Sequence, residues 1–256
     1  SSVSSGSSYV GGIVGYSNGT IMNCYNTGDL IISCTPNYSS NFFSSAYIGG
    51  ISGYKERMPV SNCYNSGNLT IKTDRTRSYY DSGFAGGIVG YNDDSQIKGC
   101  NNTGEITELS SDSYSYNSCI GGIAGYTSGV VYDCYNANTV FSSSCAGGIA
   151  GFTRGTINSC FNYGAVNCKS TLHSVLAGGI TGDFEGARGK IYDCYNMGEI
   201  NATTRIYFST TSRFVSVAGG IVGNLFVGEM YSCYNTGKIS AKASHLSSVI
   251  VDIGEG

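Results

Sequence analysis

Residues 11–30 read GGIVGYSNGTIMNCYNTGDL, and seven versions of this unit, approximately GGIxGYxxGxIxxCYNTGxI, occupy the chain. The other six cover 49–69, 86–106, 121–140, 147–166, 178–200 and 219–239. Their double glycines begin 38, 37, 35, 26, 31 and 41 residues apart, so the motif is regular while the intervals are not. A unit this short cannot bury its own inner face and must stack on its neighbours. In-register stacking at ~4.8 Å then turns every motif position into a ladder.

Three of these ladders are apolar. Ile13, Ile51, Ile88, Ile123, Ile149, Ile180 and Ile221 follow the double glycine, and all seven are expected in the core. Ile21, Val60, Ile97, Val131, Ile157, Ile191 and Met230 form the second, and Leu30, Leu69, Ile106, Val140, Val166, Ile200 and Ile239 the third. Three apolar ladders on three short strands predict an all-β parallel β-solenoid: a right-handed, three-sided β-helix of about seven coils, as one domain over residues 1–256. The glycines are turn or close-approach positions. Where six units carry Gly28, Gly67, Gly104, Gly164, Gly198 and Gly237, the fourth carries Asn138, which predicts a left-handed turn at that column.

Two further columns are polar or soft. Asn26, Asn65, Asn102, Asn136, Asn162, Asn196 and Asn235 have the donors and acceptors of a stacked amide ladder. Cys24, Cys63, Cys100, Cys134, Cys160, Cys194 and Cys233 lie three residues beyond the second apolar ladder, as inward thiols acting as small hydrophobes. An odd count and parallel Cβ vectors oppose systematic pairing of that column. Cys119 and Cys145 each stand two residues before a double glycine and are the candidates for a disulfide; Cys34 and Cys168 fall outside these columns. Aromatic rows run through Tyr16, Tyr54, Tyr91, Tyr126 and Phe152, and through Tyr25, Tyr64, Tyr135, Phe161, Tyr195 and Tyr234. They read as stacked sheet faces first and as a sugar-stacking platform second.

Composition narrows the function. Charged residues make up 12%, with 38 Gly, 21 Tyr and a net charge of -3, so no basic face is available for nucleic acid. No apolar run approaches the ~18 residues of a spanning helix, so no membrane insertion is expected. The first residue is Ser1, not Met, consistent with a processed form or an excised piece, and the low charge with abundant Ser, Thr, Asn and Tyr points outside the cytoplasm. Catalytic constellations are thin and no cofactor is implied: His173 and His245 are isolated, and HExxH, GxSxG and phosphate-loop motifs are absent. Asp93 and Asp94 read as a polar turn, with a weak cation site as the alternative. A polysaccharide lyase would require acids beside an Arg or Lys on one face, and the sequence assembles none.

All length variation falls between the third apolar ladder and the next double glycine, from six residues (Phe141 to Ala146) to eighteen (Ile31 to Ile48, Asn201 to Ala218). These segments carry Phe42, Phe43, Tyr79, Tyr80, Tyr114, Tyr116, Tyr207 and Phe208, the candidate binding surface if they are not simply added strand. The unit GGIVGY followed by GTIMNCYNTG resembles the GLUG-motif repeats of bacterial surface and adhesin-like proteins. The resemblance implies a secreted or wall-attached protein of repeated β structure. Similar repeats accompany a metallopeptidase that cleaves immunoglobulin A; its zinc motif is absent, so peptidase activity does not carry over. The expected function is that of a non-catalytic extracellular adhesin-like or stalk module whose partner is a surface glycan or protein. The alternatives are a self-assembling filament subunit and, more remotely, a carbohydrate-active β-helix enzyme.

Overall fold

The structure, a computed structural model, describes residues 7–34, 45–73, 82–110, 118–171, 173–206, 214–245 and 249–255. These residues form strands, turns and bends and no helix. The chain is a parallel β-solenoid built from four sheets rather than the three sides expected. The difference lies at the double glycine, where the chain bends between two separate strands.

The first sheet stacks the seven strands that end on the double glycine, such as Ser45–Gly49, Ser82–Gly86, Cys119–Gly121 and Cys145–Gly147. The second, the tyrosine sheet, holds strands such as Ser52–Glu56, Val89–Asp93, Ala124–Thr127 and Ala150–Thr153, together with the short strands of the second apolar ladder. Thr181–Tyr192 runs unbroken through both halves of this sheet. Two-residue strands at each Tyr-Asn pair (Phe-Asn or Asn-Asn in two units) make the third sheet, and the third apolar ladder lies in the fourth. Every pairing is parallel and keeps the motif in register except the last, where Val249–Glu255 turns back antiparallel on Ile239–His245.

Side-chain alternation divides the interior into two cores. One contains the first two apolar ladders and the cysteine column; the other fills the space between the first and fourth sheets. That second core includes a ladder the sequence reading overlooked: Val10, Ile48, Ala85, Ile120, Ala146, Ala177 and Ala218, immediately before the double glycine. Alternating Ile and Ala hides the column, because alanine carries little hydrophobic signal. Ile13, expected inside, is 48% exposed, and Met230 is exposed as well. Both stand on end rungs, which have a neighbour on only one side.

The left-handed turn also falls elsewhere than predicted. Asn138 and its glycine column do not have positive φ; the residues before the cysteines do, at Asn23, Asn62, Gly99, Asp133, Ser159, Asp193 and Ser232. Asn, Asp and Gly tolerate this region best, and a short turn there lets each cysteine point inward. The column of Gly28 instead needs glycine for space, since a Cβ on Gly67 would run into the Gly28 carbonyl of the adjacent coil. Asn138 aims its side-chain amide at the Thr103 carbonyl, 2.8 Å away.

Candidate functional site

The amide ladder forms as the spacing predicts. Each Nδ2 donates to the next Oδ1, from Asn26 to Asn65 (2.8 Å), Asn102 (2.8 Å), Asn136 (2.9 Å), Asn162 (2.9 Å), Asn196 (2.7 Å) and Asn235 (2.7 Å). The second amide hydrogen goes to the carbonyl two residues on, as from Asn102 to Gly104 at 2.8 Å. The ladder lies against the second glycine of each pair: a Cβ on Gly87 would meet Asn102 Cγ and the Gly122 carbonyl.

The cysteine column behaves as packing with a weak hydrogen bond. The Cys63, Cys100, Cys134, Cys160 and Cys194 side chains are buried, Cys24 and Cys233 half-buried, and each thiol donates to the carbonyl two residues earlier, as Cys134 does to Tyr132 at 3.2 Å. Burial first, and the neighbouring thiols second, push Cys160 above the ordinary thiol range, while hydrogen bonds from the neighbouring thiols hold Cys194 below it, so access and not thiolate content separates these buried thiols from the half-buried ones. Reaction depends on the thiolate and on access. Alkylation of the native protein followed by mass spectrometry is therefore expected to label Cys24, Cys119 and Cys233 well before Cys100, Cys134, Cys160 and Cys194. Equal labelling at all seven would contradict the inward column.

Cys119 and Cys145 are register partners on adjacent strands. Their place explains more than their chemistry. Outward side chains of the first sheet form the column Tyr9, Tyr47, Phe84, Cys119, Cys145, Leu176 and Val217. Those of the tyrosine sheet form Tyr16, Tyr54, Tyr91, Tyr126, Phe152, Asp183 and Asn224. Within each column the rings stack, Tyr54 on Tyr91 at 5.0 Å and Tyr91 on Tyr126 at 4.2 Å between centroids. Between columns they meet edge to face, Tyr47 with Tyr54 at 5.5 Å and Phe84 with Tyr91 at 5.2 Å. Outward rings on adjacent strands touch this way only where the outer surface folds inward, so the bend at the double glycine is a concave seam.

From Phe84 onward the first column changes to small side chains while the second remains aromatic through Phe152. Rings that would have filled the seam are missing at Cys119 and Cys145, and a groove of about 460 Å³ opens there. Tyr91, Tyr126 and Phe152 form one wall, Phe84 closes one end, and Arg154, Asp183 and Glu185 line the other. Hydrogen bonding to Cys119, followed by burial, raises the Cys145 thiol well above its usual range, so it is present as a neutral, weakly polar lining. Arg154 pairs with Glu185 at 3.3 Å and places its guanidinium 5.4 Å from the centre of the Phe152 ring. Asp183 occupies the rung after Phe152 and accepts a hydrogen bond from Asn224 Nδ2 at 2.9 Å. Burial raises its carboxyl above the ordinary value, with the Asn224 bond acting the other way.

The sequence reading thus missed an acid and arginine cluster that the structure brings together at Arg154, Asp183 and Glu185. Its signal was the column position: Asp183 stands where five units carry Tyr or Phe. Asp93 ends the strand Val89–Asp93 and Asp94 follows it in the bend, Asp93 accepting from Tyr54 (3.5 Å) and Ser128 (3.4 Å) hydroxyls. His173 is buried, not on the surface, and its Nδ1 lies 3.1 Å from the Ser174 carbonyl; burial lowers its pKa. The aromatic residues of the variable segments, Phe42, Phe43, Tyr79, Tyr80, Tyr114, Tyr116, Tyr207 and Phe208, lie outside the described residues.

Fold and ladders define a tandem-repeat β-solenoid with a built aromatic seam. The chain carries the GLUG motif, whose family model matches residues 6–31 and 84–107. No curated protein and no solved structure matches the chain. The matched segments include Phe84 and Tyr91 and do not reach Arg154, Asp183 or Glu185.

Proposed function

We propose that the protein is a non-catalytic, surface-displayed repeat module, adhesin-like in role, that binds carbohydrate in the seam groove. The observation that carries this reading is the groove itself: an aromatic wall of Tyr91, Tyr126 and Phe152 with polar groups converging at one end. Sugar rings present C–H faces that pack on aromatic planes, while hydroxyls seek carboxylates, guanidinium and serine hydroxyls. Ser82 and Ser144 also line this groove. Such a mixture, mostly apolar with a few placed polar groups, is the general character of a small-ligand site. The site lies on a rigid stack, so little ordering is required on binding.

The test is a screen of the purified chain against oligosaccharides by calorimetry or array binding, beside Tyr126→Ala. Removing the central ring of the wall is expected to weaken binding about tenfold or more, in line with the ~1–3 kcal/mol a planar ring contributes when it stacks on an aromatic side chain. Circular dichroism of the variant checks that the solenoid persists. Saturable binding unchanged in Tyr126→Ala would place the sugar site elsewhere, and no binding to any glycan would favour a stalk.

Self-association is the second reading, supported by the end rungs. Tyr25 is 71% exposed at one end and Phe226 77% at the other, and among the described residues no further strand pairs with the edges beside them. Concentration-dependent sedimentation or filaments in electron micrographs would support it; a monomer throughout would remove it.

A further inference from the structure

We infer that the groove selects a saccharide bearing a protonated amine, an amino sugar whose ammonium sits between the Phe152 rung and Asp183. This deepens the carbohydrate reading and rests on it. Of the three charged side chains in the groove, Arg154 and Glu185 neutralise one another at 3.3 Å. Asp183 has no cation partner among the described residues: it accepts a hydrogen bond from the neutral Asn224 amide, and the only other hydrogen-bonding group that favours its charged form is the Phe184 backbone N–H. The groove therefore keeps one uncompensated carboxylate at the end of an aromatic stack.

The place of Asp183 at that end suits an ammonium group. Asp183 is the next rung after Phe152 in the same outward column, so a ring lying along the wall of Tyr126 and Phe152 brings a substituent toward the carboxylate. Burial penalises the Asp183 charge, and an arriving ammonium relieves that penalty with a charge-assisted hydrogen bond. A neutral or anionic sugar provides no such compensation.

The experiment compares a glucosamine oligomer, the N-acetylglucosamine oligomer of equal length, and choline as a cation that is not a sugar. Binding is measured by calorimetry at low and at moderate salt, for the parent chain and for Asp183→Asn. The substitution keeps the shape of the side chain and the acceptor for Asn224. The expected result is about tenfold tighter binding of the glucosamine oligomer than of its acetylated counterpart, a preference that Asp183→Asn abolishes. Equal binding of the two oligomers by the parent would overturn the amine selectivity and leave the carbohydrate reading standing. Choline matching the glucosamine oligomer would overturn it as a sugar preference. Binding of neither oligomer would remove both readings. A preference that survives in Asp183→Asn, or that vanishes together with all binding in that variant, would show that Asp183 does not select the amine.

Discussion

Gly87→Ala is expected to destabilise the protein by more than about 3 kcal/mol, or to prevent folding, although it adds a single methyl group. The new Cβ would lie closer than 3.0 Å to the Gly122 carbonyl of the adjacent coil and to Asn102 Cγ. Neither neighbour is a flexible side-chain end. The carbonyl is fixed by the stacking of the coils, and the amide is held in its ladder by hydrogen bonds on both sides. A shift that made room would have to separate one coil from the next along the seam. Gly19→Ala is the matching control, since a Cβ there meets nothing within 4 Å, and it is expected to unfold like the parent in urea. Similar unfolding midpoints for Gly87→Ala and Gly19→Ala would contradict the close approach of the coils.

Asn102→Ala is the second large effect, about 3–4 kcal/mol. Asn102 is fully buried and makes four hydrogen bonds, donating to Gly104 O and Asn136 Oδ1 and accepting from Asn65 Nδ2 and Gly104 N. Alanine removes these and strands the Asn65 donor and the Asn136 acceptor in the interior, each at ~1–3 kcal/mol. Solvent cannot reach the gap easily, because the double-glycine stripe presses on it. At the end of the ladder, Asn235 is only half-buried and has an amide neighbour on one side alone, Asn196. Asn235→Ala is therefore expected to lose less than half as much. Equal losses at the two positions, measured by denaturant unfolding, would show that the amides act independently and not as a ladder.

The two predictions share a cause. Gly87 and Asn102 are complementary halves of one contact, with the missing side chain of the glycine providing the channel in which the amide lies. Repetition made both columns legible in the sequence, and the alternation of Leu, Ile and Val in the ladders gave the β period. The individual role of the glycine was less legible: a missing Cβ serves a left-handed turn and a close approach equally well, and at the Gly28 column the turn was the wrong alternative. The Asn, Asp, Ser and Gly residues before each cysteine of the column carry the turn instead, at a position where no single residue type dominates.

Glu108 shows another limit. By alternation it faces inward, two residues after Ile106, in the ladder of Ile32 and Ile71. An acid at that place looks like a fault in the core. The short corner from Phe141 to Ala146 resolves most of it: Ser142 Oγ, Ser143 N and Ser143 Oγ all donate to one Glu108 oxygen at 2.8–3.1 Å, leaving the other without a partner. The length of that segment was visible in the sequence; its approach to Glu108 was not.

The repeat, the parallel stacking, the amide and cysteine columns and three of the apolar ladders were legible in the sequence, because each depends on identity at a fixed motif position. Tertiary structure alone decided the candidate site. The groove exists because two outward columns from different sheets face one another across the bend at the double glycine, and because the first turns from rings to cysteines before the second ends. That coincidence joins Phe84 to Asp183 across 99 positions of chain. No spacing within one repeat could announce it, since the side chains concerned are neighbours through the angle between sheets.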